Sequence, residues 1–387
     1  MKNRVNPKNK EHLSILGFGC MRFSKSESEV EEQIIHAIEN GVNYFDTAYI
    51  YPNSEVILGR ILAKGYRKKV NVATKLPPYL VKKYEDFDKL FYKELQRLQT
   101  DYIDYYLMHM LTDLVTWDRL KELGVVQWID EKKKSGEIRN IGFSYHGGKS
   151  EFIKILDAYE WEFCMIQYNY LDENNQAGKS GLKYAASKGL PVMIMEPLRG
   201  GKLVNNLPKE VYKTFEAAKV KRSPAEWALK WIWDQPEVTL VLSGMNSMEM
   251  LNENMRVASE TDVNAFTEVE KTMFDQVKKT LHEKIKVPCT GCNYCMPCPV
   301  GVDIPTCLSC YNDIEIEGRI GAFSKYLMQT SLKSEPHNAS LCVKCGKCEK
   351  HCPQEIKIIE ELENVTKKLE GVLYKPIRAV AKRFMKL

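Results

Sequence analysis

SILGFGCMRFSKSESEVEEQIIHAIENGVNYFDTA, residues 14–48, is one repeat of the pattern from which the fold is built. Two short apolar runs, SILGFGC (14–20) and VNYFDTA (42–48), flank SESEVEEQIIHAIENG (26–41), whose apolar residues fall three and four apart before a closing glycine. A helix gathers such residues on one face, while a short apolar run bounded by turn residues suits a strand covered on both sides. Outward from this unit the alternation continues through VNVATK (70–75), IDYYLMH (103–109), IRNIGFS (138–144), FCMIQYN (163–169), LPVMIME (190–196) and VTLVLSG (238–244). Segments such as WDRLKELGVVQWIDEKKKSG (117–136) read as the intervening helices.

Eight apolar runs separated by helices predict an α/β chain folded as a closed (β/α)8 barrel. An open doubly wound sheet shares the alternation, but no GxGxxG follows the first run, and no self-similar period marks a repeat protein. The polar, turn-rich residues 1–12 suit a short hairpin closing the barrel floor. At 285–288 the chain leaves a helical stretch, KTLHEKIK (279–286), for CTGCNYCMPCPVGVDIP (289–305). The expected domains are therefore a barrel over 1–285, a cysteine module over 286–358 and a basic helical tail over 359–387.

Of the 387 residues 44% are hydrophobic and 28% charged, enough for a packed core. With 56 Lys+Arg against 51 Asp+Glu the net charge is only +5, which argues against a dedicated nucleic-acid binder. The charged first segment and the lack of any run of about eighteen apolar residues predict neither a secretory signal nor a membrane span. Cysteine is the informative residue, because ten of the twelve lie between Cys289 and Cys352. In a reducing cytoplasm, the expected location, such crowding points to thiolate ligation of metal rather than to disulfides.

CVKCGKCEKHCP places Cys342, Cys345, Cys348 and Cys352 in the CxxCxxCxxxCP run of bacterial-type ferredoxins. Its counterpart is CTGCNYCMPCP, with Cys289, Cys292, Cys295 and Cys298, one residue short in its last gap. Three closely spaced thiols wrap one corner of a cubane and the fourth reaches the other cluster. One [4Fe-4S] cluster would then take Cys289, Cys292, Cys295 and Cys352, and a second would take Cys342, Cys345, Cys348 and Cys298. Cys307 and Cys310 in IPTCLSC are spare thiols or substitutes for a ligand. The segment YNDIEIEGRIGAFSKYLMQTS (311–331) looks helical, so the module resembles the helical two-cluster ferredoxins. Structural zinc is the alternative, although zinc sites normally hold two separated CxxC knuckles.

Barrel enzymes build their sites at the C-terminal ends of their strands. Here those ends carry Asp46 and Tyr51, Lys75, and His109. Reducing a carbonyl requires a hydride at carbon and a proton at the oxygen where negative charge develops. A phenol, ordinarily with a pKa of about 10, donates more readily beside an ammonium that stabilises the phenolate. A carboxylate would hold that ammonium, and a neutral imidazole would donate to the carbonyl oxygen. Taken singly each residue has a bland reading as a cap, a solvated charge or a packed ring; Tyr49 competes with Tyr51.

FDTAYIYPNSEVILG (45–59), ATKLP (73–77), LQRLQTDYIDYYLMH (95–109) and IRNIGFS (138–144) resemble successive signatures of the aldo-keto reductase family. The resemblance spans nearly all of residues 1–260. It implies Tyr51 as general acid, Lys75 and Asp46 as its tuning pair, and His109 as the group orienting the carbonyl. It further implies NADP(H) or NAD(H), with Ser144 and Gln167 on the nicotinamide carboxamide, and Leu198, Gly200 and Gly201 letting backbone approach the pyrophosphate. Gly244 and Met245 would open a phosphate-facing turn, and Glu253 and Asn254 would meet the adenine. Three departures stand out: Tyr145 replaces the usual Asn, Met195 replaces a stacking aromatic, and no Lys or Arg stands between Gly244 and Met250. Arg22, after the first strand, is a candidate for a substrate carboxylate, with a surface ion pair as its bland reading.

Hydride carries two electrons and a [4Fe-4S] cluster one, so clusters do not feed a nicotinamide efficiently without a flavin, and no flavin signature is visible. Three roles are open for the clusters: relays to a ferredoxin or other redox protein, parts of an electron-transfer protein whose barrel binds a flavin or redox partner, or structural anchors. The last stretch, TKKLEGVLYKPIRAVAKRFMKL (366–387), is basic and suits a solvated amphipathic helix, with a membrane surface or acidic ferredoxin as the alternative.

Overall fold

Each of the eight apolar runs forms a strand. The computed structural model describes residues 1–24, 26–147, 149–205, 207–332 and 335–384. Strands β1 (Asn3–Val5) and β2 (His12–Ser14) pair antiparallel. Strands β3 (Leu16–Gly19), β4 (Tyr44–Asp46), β5 (Asn71–Leu76), β6 (Ile103–Leu111), β7 (Ile138–Tyr145), β8 (Phe163–Gln167), β9 (Val192–Met195) and β10 (Val238–Ser243) close a barrel in the order β10-β3-β4-β5-β6-β7-β8-β9. The parallel pairing of β10 with β3 completes the ring, Val241 opposite Leu16.

The interior is packed rather than hollow. Tyr44, Ala73, Tyr105, Leu107, Phe163, Met165, Met193 and Leu240 fill it, with the Tyr105 ring 5.1 Å from Tyr44 and 5.0 Å from Phe163. Burying each large ring contributes roughly 1.5–3 kcal/mol. Gly142 makes room for Phe163, since a Cβ there would lie 2.5 Å from the Phe163 carbonyl oxygen and 2.6 Å from its ring. The hairpin plugs the floor as expected. Asn6 Nδ2 donates to the Tyr105 hydroxyl at 3.1 Å, and that hydroxyl donates to Glu11 at 2.7 Å.

The chain divides into two compact units, Met1–Leu198 with Ala225–Thr267, and Arg199–Pro224 with Glu268–Leu387. The units interleave in sequence, whereas the sequence reading ran the barrel domain to 285. Within the second unit, helix Lys209–Ala217 packs on helix Glu268–Lys284 through Phe215 and Phe274, their rings 6.2 Å apart. Lys284 pairs with Glu210 at 3.0 Å.

The expected helix between the two cysteine runs extends from Ile304 to Tyr326 and breaks at Gly318, whose φ of 79° favours glycine. Helix Ile358–Leu369 packs against it, turning Leu362, Val365 and Leu369 into a core with Ile304, Leu308 and Tyr326. Helix Tyr374–Phe384 is anchored by Tyr374 and Arg378, which bond to the Ser331 hydroxyl and carbonyl at 2.8 and 3.0 Å. Among the described residues no helix is long and apolar enough to cross a membrane.

Candidate functional site

Strand pleating explains how the site residues come together. Side chains two apart share a face, so the interior residues Tyr44, Ala73 and Leu107 are followed, toward the strand ends, by Asp46, Lys75 and His109. The same step carries Gly142 to Ser144 and Met165 to Gln167. The sequence candidates on β4 to β8 thus form the top layer of the barrel interior, and Asp46, Lys75, His109, Ser144 and Gln167 are all buried.

Lys75 Nζ donates to Asp46 Oδ2 at 2.6 Å and to the Thr47 carbonyl at 2.7 Å. Burial pushes the Asp46 carboxyl up, and Lys75 opposes that rise. Such a buried pair is held by its mutual contact, because either charge alone would be desolvated without compensation. Among the described residues Asp46 Oδ1 and His109 Nδ1 are buried with no hydrogen-bond partner. Burial, then Lys75, then His146 hold the His109 imidazole well below its ordinary pKa, so it stays neutral near pH 7.

Tyr51 and Tyr49 separate cleanly. The Tyr51 ring has Lys75 Nζ 5.0 Å from its centroid and meets the His109 ring edge-on at 5.9 Å and 81°. Tyr49 instead stacks under Arg97, its centroid 4.4 Å from the guanidinium carbon. The loop between is fixed by Ser54, whose hydroxyl donates to the Cys20 carbonyl at 2.8 Å and meets Thr47 Oγ1 at 2.7 Å.

Behind Lys75 lies a buried network that sequence reading missed. Thr74 donates to Glu55 at 2.6 Å, Arg97 donates to Glu55 at 2.9 Å, and Tyr106 donates to Glu94 at 2.6 Å. Burial raises both carboxyls, and Glu55 raises Glu94 further. These residues come from two strands and two helices, so no local motif announces them.

Ser144 Oγ accepts from the Met110 backbone N–H at 2.9 Å, which leaves its own proton to donate. Gln167 Nε2 donates to Asp172 at 2.8 Å, and Asn169 Nδ2 donates to the same carboxylate oxygen at 3.0 Å. Asp172, which orients both amides, was not singled out from the sequence, though its place three residues after Asn169 was the available signal. Tyr145 points outward, its ring 5.1 Å from Phe152.

The next residue, His146, is also buried, and its backbone N–H donates to the Leu111 carbonyl at 3.0 Å. Burial lowers its pKa to about 4, with Lys75 adding to the effect and Gln176 opposing it. The sequence reading stopped one residue short of it.

At β10 the Asn254 amide donates to Ser243 Oγ at 3.0 Å, and Met245 is buried while Gly244 is exposed. Glu253 is half-buried on helix Met248–Glu260, and Arg22 is exposed after β3. Leu198 ends the first segment of the barrel unit, whereas Gly200 and Gly201 belong to the second unit, in the turn Arg199–Gly201.

None of the twelve cysteines is in a disulfide. Cys307 and Cys310 are buried in the helical core of the second unit. The other eight sit on loops and helix ends around that core, seven half-buried and Cys345 exposed. Burial first, then Cys289, Cys292 and Cys352, push the Cys295 thiol up, which groups those four. Burial, Glu349 and Cys342 push Cys348 up to about 11.

The Lys344 N–H reaches Cys342 Sγ at 3.4 Å, a bond of the type that stabilises cluster thiolates. Among the described residues no three His, Cys, Asp or Glu close on a single-ion site. A cubane asks instead for four thiolates spread around a larger core. Within the same unit Arg199 Nη2 donates to the Pro288 carbonyl at 2.8 Å and Lys202 Nζ to the Cys289 carbonyl at 3.0 Å.

Residues 15–271 match the aldo/keto reductase family and residues 288–357 match a 4Fe-4S dicluster domain. The chain is 26% identical over 268 residues to the NADH-specific methylglyoxal reductase of Escherichia coli, covering 58% of this chain and 81% of that protein. It is 28% identical over 248 residues to the glyoxal reductase of Bacillus subtilis, covering 62% and 82%. Among solved structures, the holo form of aldo-keto reductase AKR11C1 from Bacillus halodurans aligns with a TM-score of 0.61 at 26% identity, covering 72% of this chain and 96% of that one. An aldo/keto reductase from Klebsiella pneumoniae in complex with NADP and acetate shares the fold, with a TM-score of 0.59 at 21% identity, covering 72% of this chain and 96% of that one.

Proposed function

The chain belongs to the aldo/keto reductase family, and from that premise we propose that it reduces a small aldehyde or ketone with hydride from a nicotinamide cofactor. The observation that carries this reading is the convergence on Lys75, whose ammonium lies 2.6 Å from Asp46 and 5.0 Å from the Tyr51 ring centre, with His109 alongside that ring at 5.9 Å. A nicotinamide bound there supplies the hydride. Tyr51 donates the proton that the carbonyl oxygen takes up as its charge develops. Lys75, fixed by Asp46, stabilises the phenolate left behind. His109 is neutral and so presents an N–H dipole to that oxygen, fixing the carbonyl without competing for the proton.

Ser144 and the Gln167 amide suit a carboxamide, the first through its remaining hydroxyl proton and the second oriented by Asp172. No Lys or Arg stands between Gly244 and Met250, and Arg256 on the following helix is engaged by Glu226 and Glu260. Few cations are therefore placed for a 2′-phosphate, and NADH is accepted at least as well as NADPH. The names of the Escherichia coli and Bacillus subtilis relatives make methylglyoxal and glyoxal the first substrates to assay. A carboxylated carbonyl compound tests Arg22.

Cys289, Cys292, Cys295 and Cys352 would hold one [4Fe-4S] cluster and Cys342, Cys345, Cys348 and Cys298 the other, each able to pass one electron at a time. Tyr51→Phe tests the reductase reading. The variant should bind NADH, keep its iron and lose about 10²–10⁴ in kcat; full turnover would refute the role of the phenol.

A further inference from the structure

The turn Arg199–Gly201 runs entirely at positive φ, with 47° at Arg199, 65° at Gly200 and 90° at Gly201. Glycine adopts this region freely, but at Arg199 it is strained. The strained backbone sends two cations toward one loop. Arg199, buried at 2% exposure, donates to the Pro288 carbonyl at 2.8 Å, and Lys202 donates to the carbonyl of Cys289 at 3.0 Å. The charged groups acting most on the Lys202 ammonium are Cys289, Arg199, Asp313 and Lys325. Asp313 is paired with Lys325 at 2.7 Å, and no carboxylate pairs with Lys202 among the described residues. Lys202 thus brings a positive charge that no carboxylate pairs, among the described residues, to the backbone of Cys289.

Among the described residues the second cysteine group has no equivalent pair of cations bonded to its loop carbonyls. Lys344, beside Cys342, is exposed and paired with Glu363. Glu349 acts on Cys348 and Cys352 alike, so it does not distinguish the two groups.

We infer that Arg199 and Lys202 tune the cluster bound through Cys289, holding its reduction potential above that of its neighbour. This rests on the cubane reading of the eight cysteines. Reduction adds one electron and no proton to the cluster, and the extra negative charge is stabilised by a buried and a half-buried cation beside a ligand, where solvent screens them less than at the open surface. An electron entering from a one-electron donor therefore comes to rest on the Cys289 cluster, which is reduced as the other is reoxidised.

The test is a dithionite titration of the anaerobic holoprotein with mediator dyes, followed by electron paramagnetic resonance. Lys202→Gln keeps an N–H donor for the Cys289 carbonyl and removes the charge. One midpoint should fall, making reduction about tenfold less favourable, or about 59 mV for one electron, with the other unmoved. Lys202→Arg should restore it. If Lys202→Gln loses iron, Arg199→Gln carries the same measurement. Unmoved midpoints, equal shifts in both clusters, or loss of iron in both variants would overturn the inference, the last marking the pair as a mechanical clamp. Iron and sulfide counts on the wild type, about eight of each for two cubanes, test the cluster reading separately.

Discussion

The barrel mouth and the cysteine loops are built on opposite principles. At the mouth every reacting group except Tyr51 projects from a strand end, is buried, and is aimed by the pleat beneath it. The eight cysteines proposed as ligands stand on loops and helix ends, mostly half-buried, and owe their grouping to short sequence spacings. One region is organised before anything binds. The other is completed by what it binds, since metal affinity and folding draw on the same free energy.

Removing the iron, by chelation under mild oxidation, tests that contrast most severely. The second unit should lose its ordered cysteine loops while the barrel keeps its near-ultraviolet circular dichroism and its NADH affinity; collapse of both would erase the distinction. A smaller effect is expected at the buried pair. Asp46→Asn leaves Lys75 uncompensated and should cost about 3–5 kcal/mol in barrel stability, read by urea melts, with iron content unchanged.

The histidines sharpen the comparison further. Unfolded imidazole takes a proton below about pH 6.5, whereas folded His146 resists until about 4. Its contribution to stability is thus full above 6.5 and falls as pH drops through that window, by up to about 1.4 kcal/mol per unit. Subtracting melts of His146→Asn from wild type isolates this slope from the raised carboxyls Glu55 and Glu94, which act in the opposite sense. The smallest change is expected at exposed Arg22. Replacement by Ala should raise KM severalfold for a carboxylated substrate and leave kcat and KM for methylglyoxal alone.

Much of the barrel was legible because strands covered on both faces must be apolar along their length, and eight such runs leave little choice of architecture. Strand ends then located Asp46, Lys75 and His109. The strand-end pattern alone left Tyr49 competing with Tyr51, which only the family resemblance favoured, because what separates them is Arg97, which arrives from a distant helix to hold Tyr49. Glu55, Glu94 and Tyr106 escaped notice for the same reason. His146 was within reach, two residues beyond Ser144, but Tyr145 drew attention to a side chain that packs outward. The interleaving of 199–224 with the second unit depends on Phe215 meeting Phe274, a pairing without local signature.

The seam between β3 and β10 joins the beginning of the barrel to its end, with Leu16 facing Val241. A ribosome releases chain from the amino end, so the ring cannot shut until its last strand has emerged. The cysteine runs are then still being made. Iron is therefore delivered to a protein whose barrel is already able to close, and a failure of cluster supply should yield a half-finished molecule rather than an unfolded one.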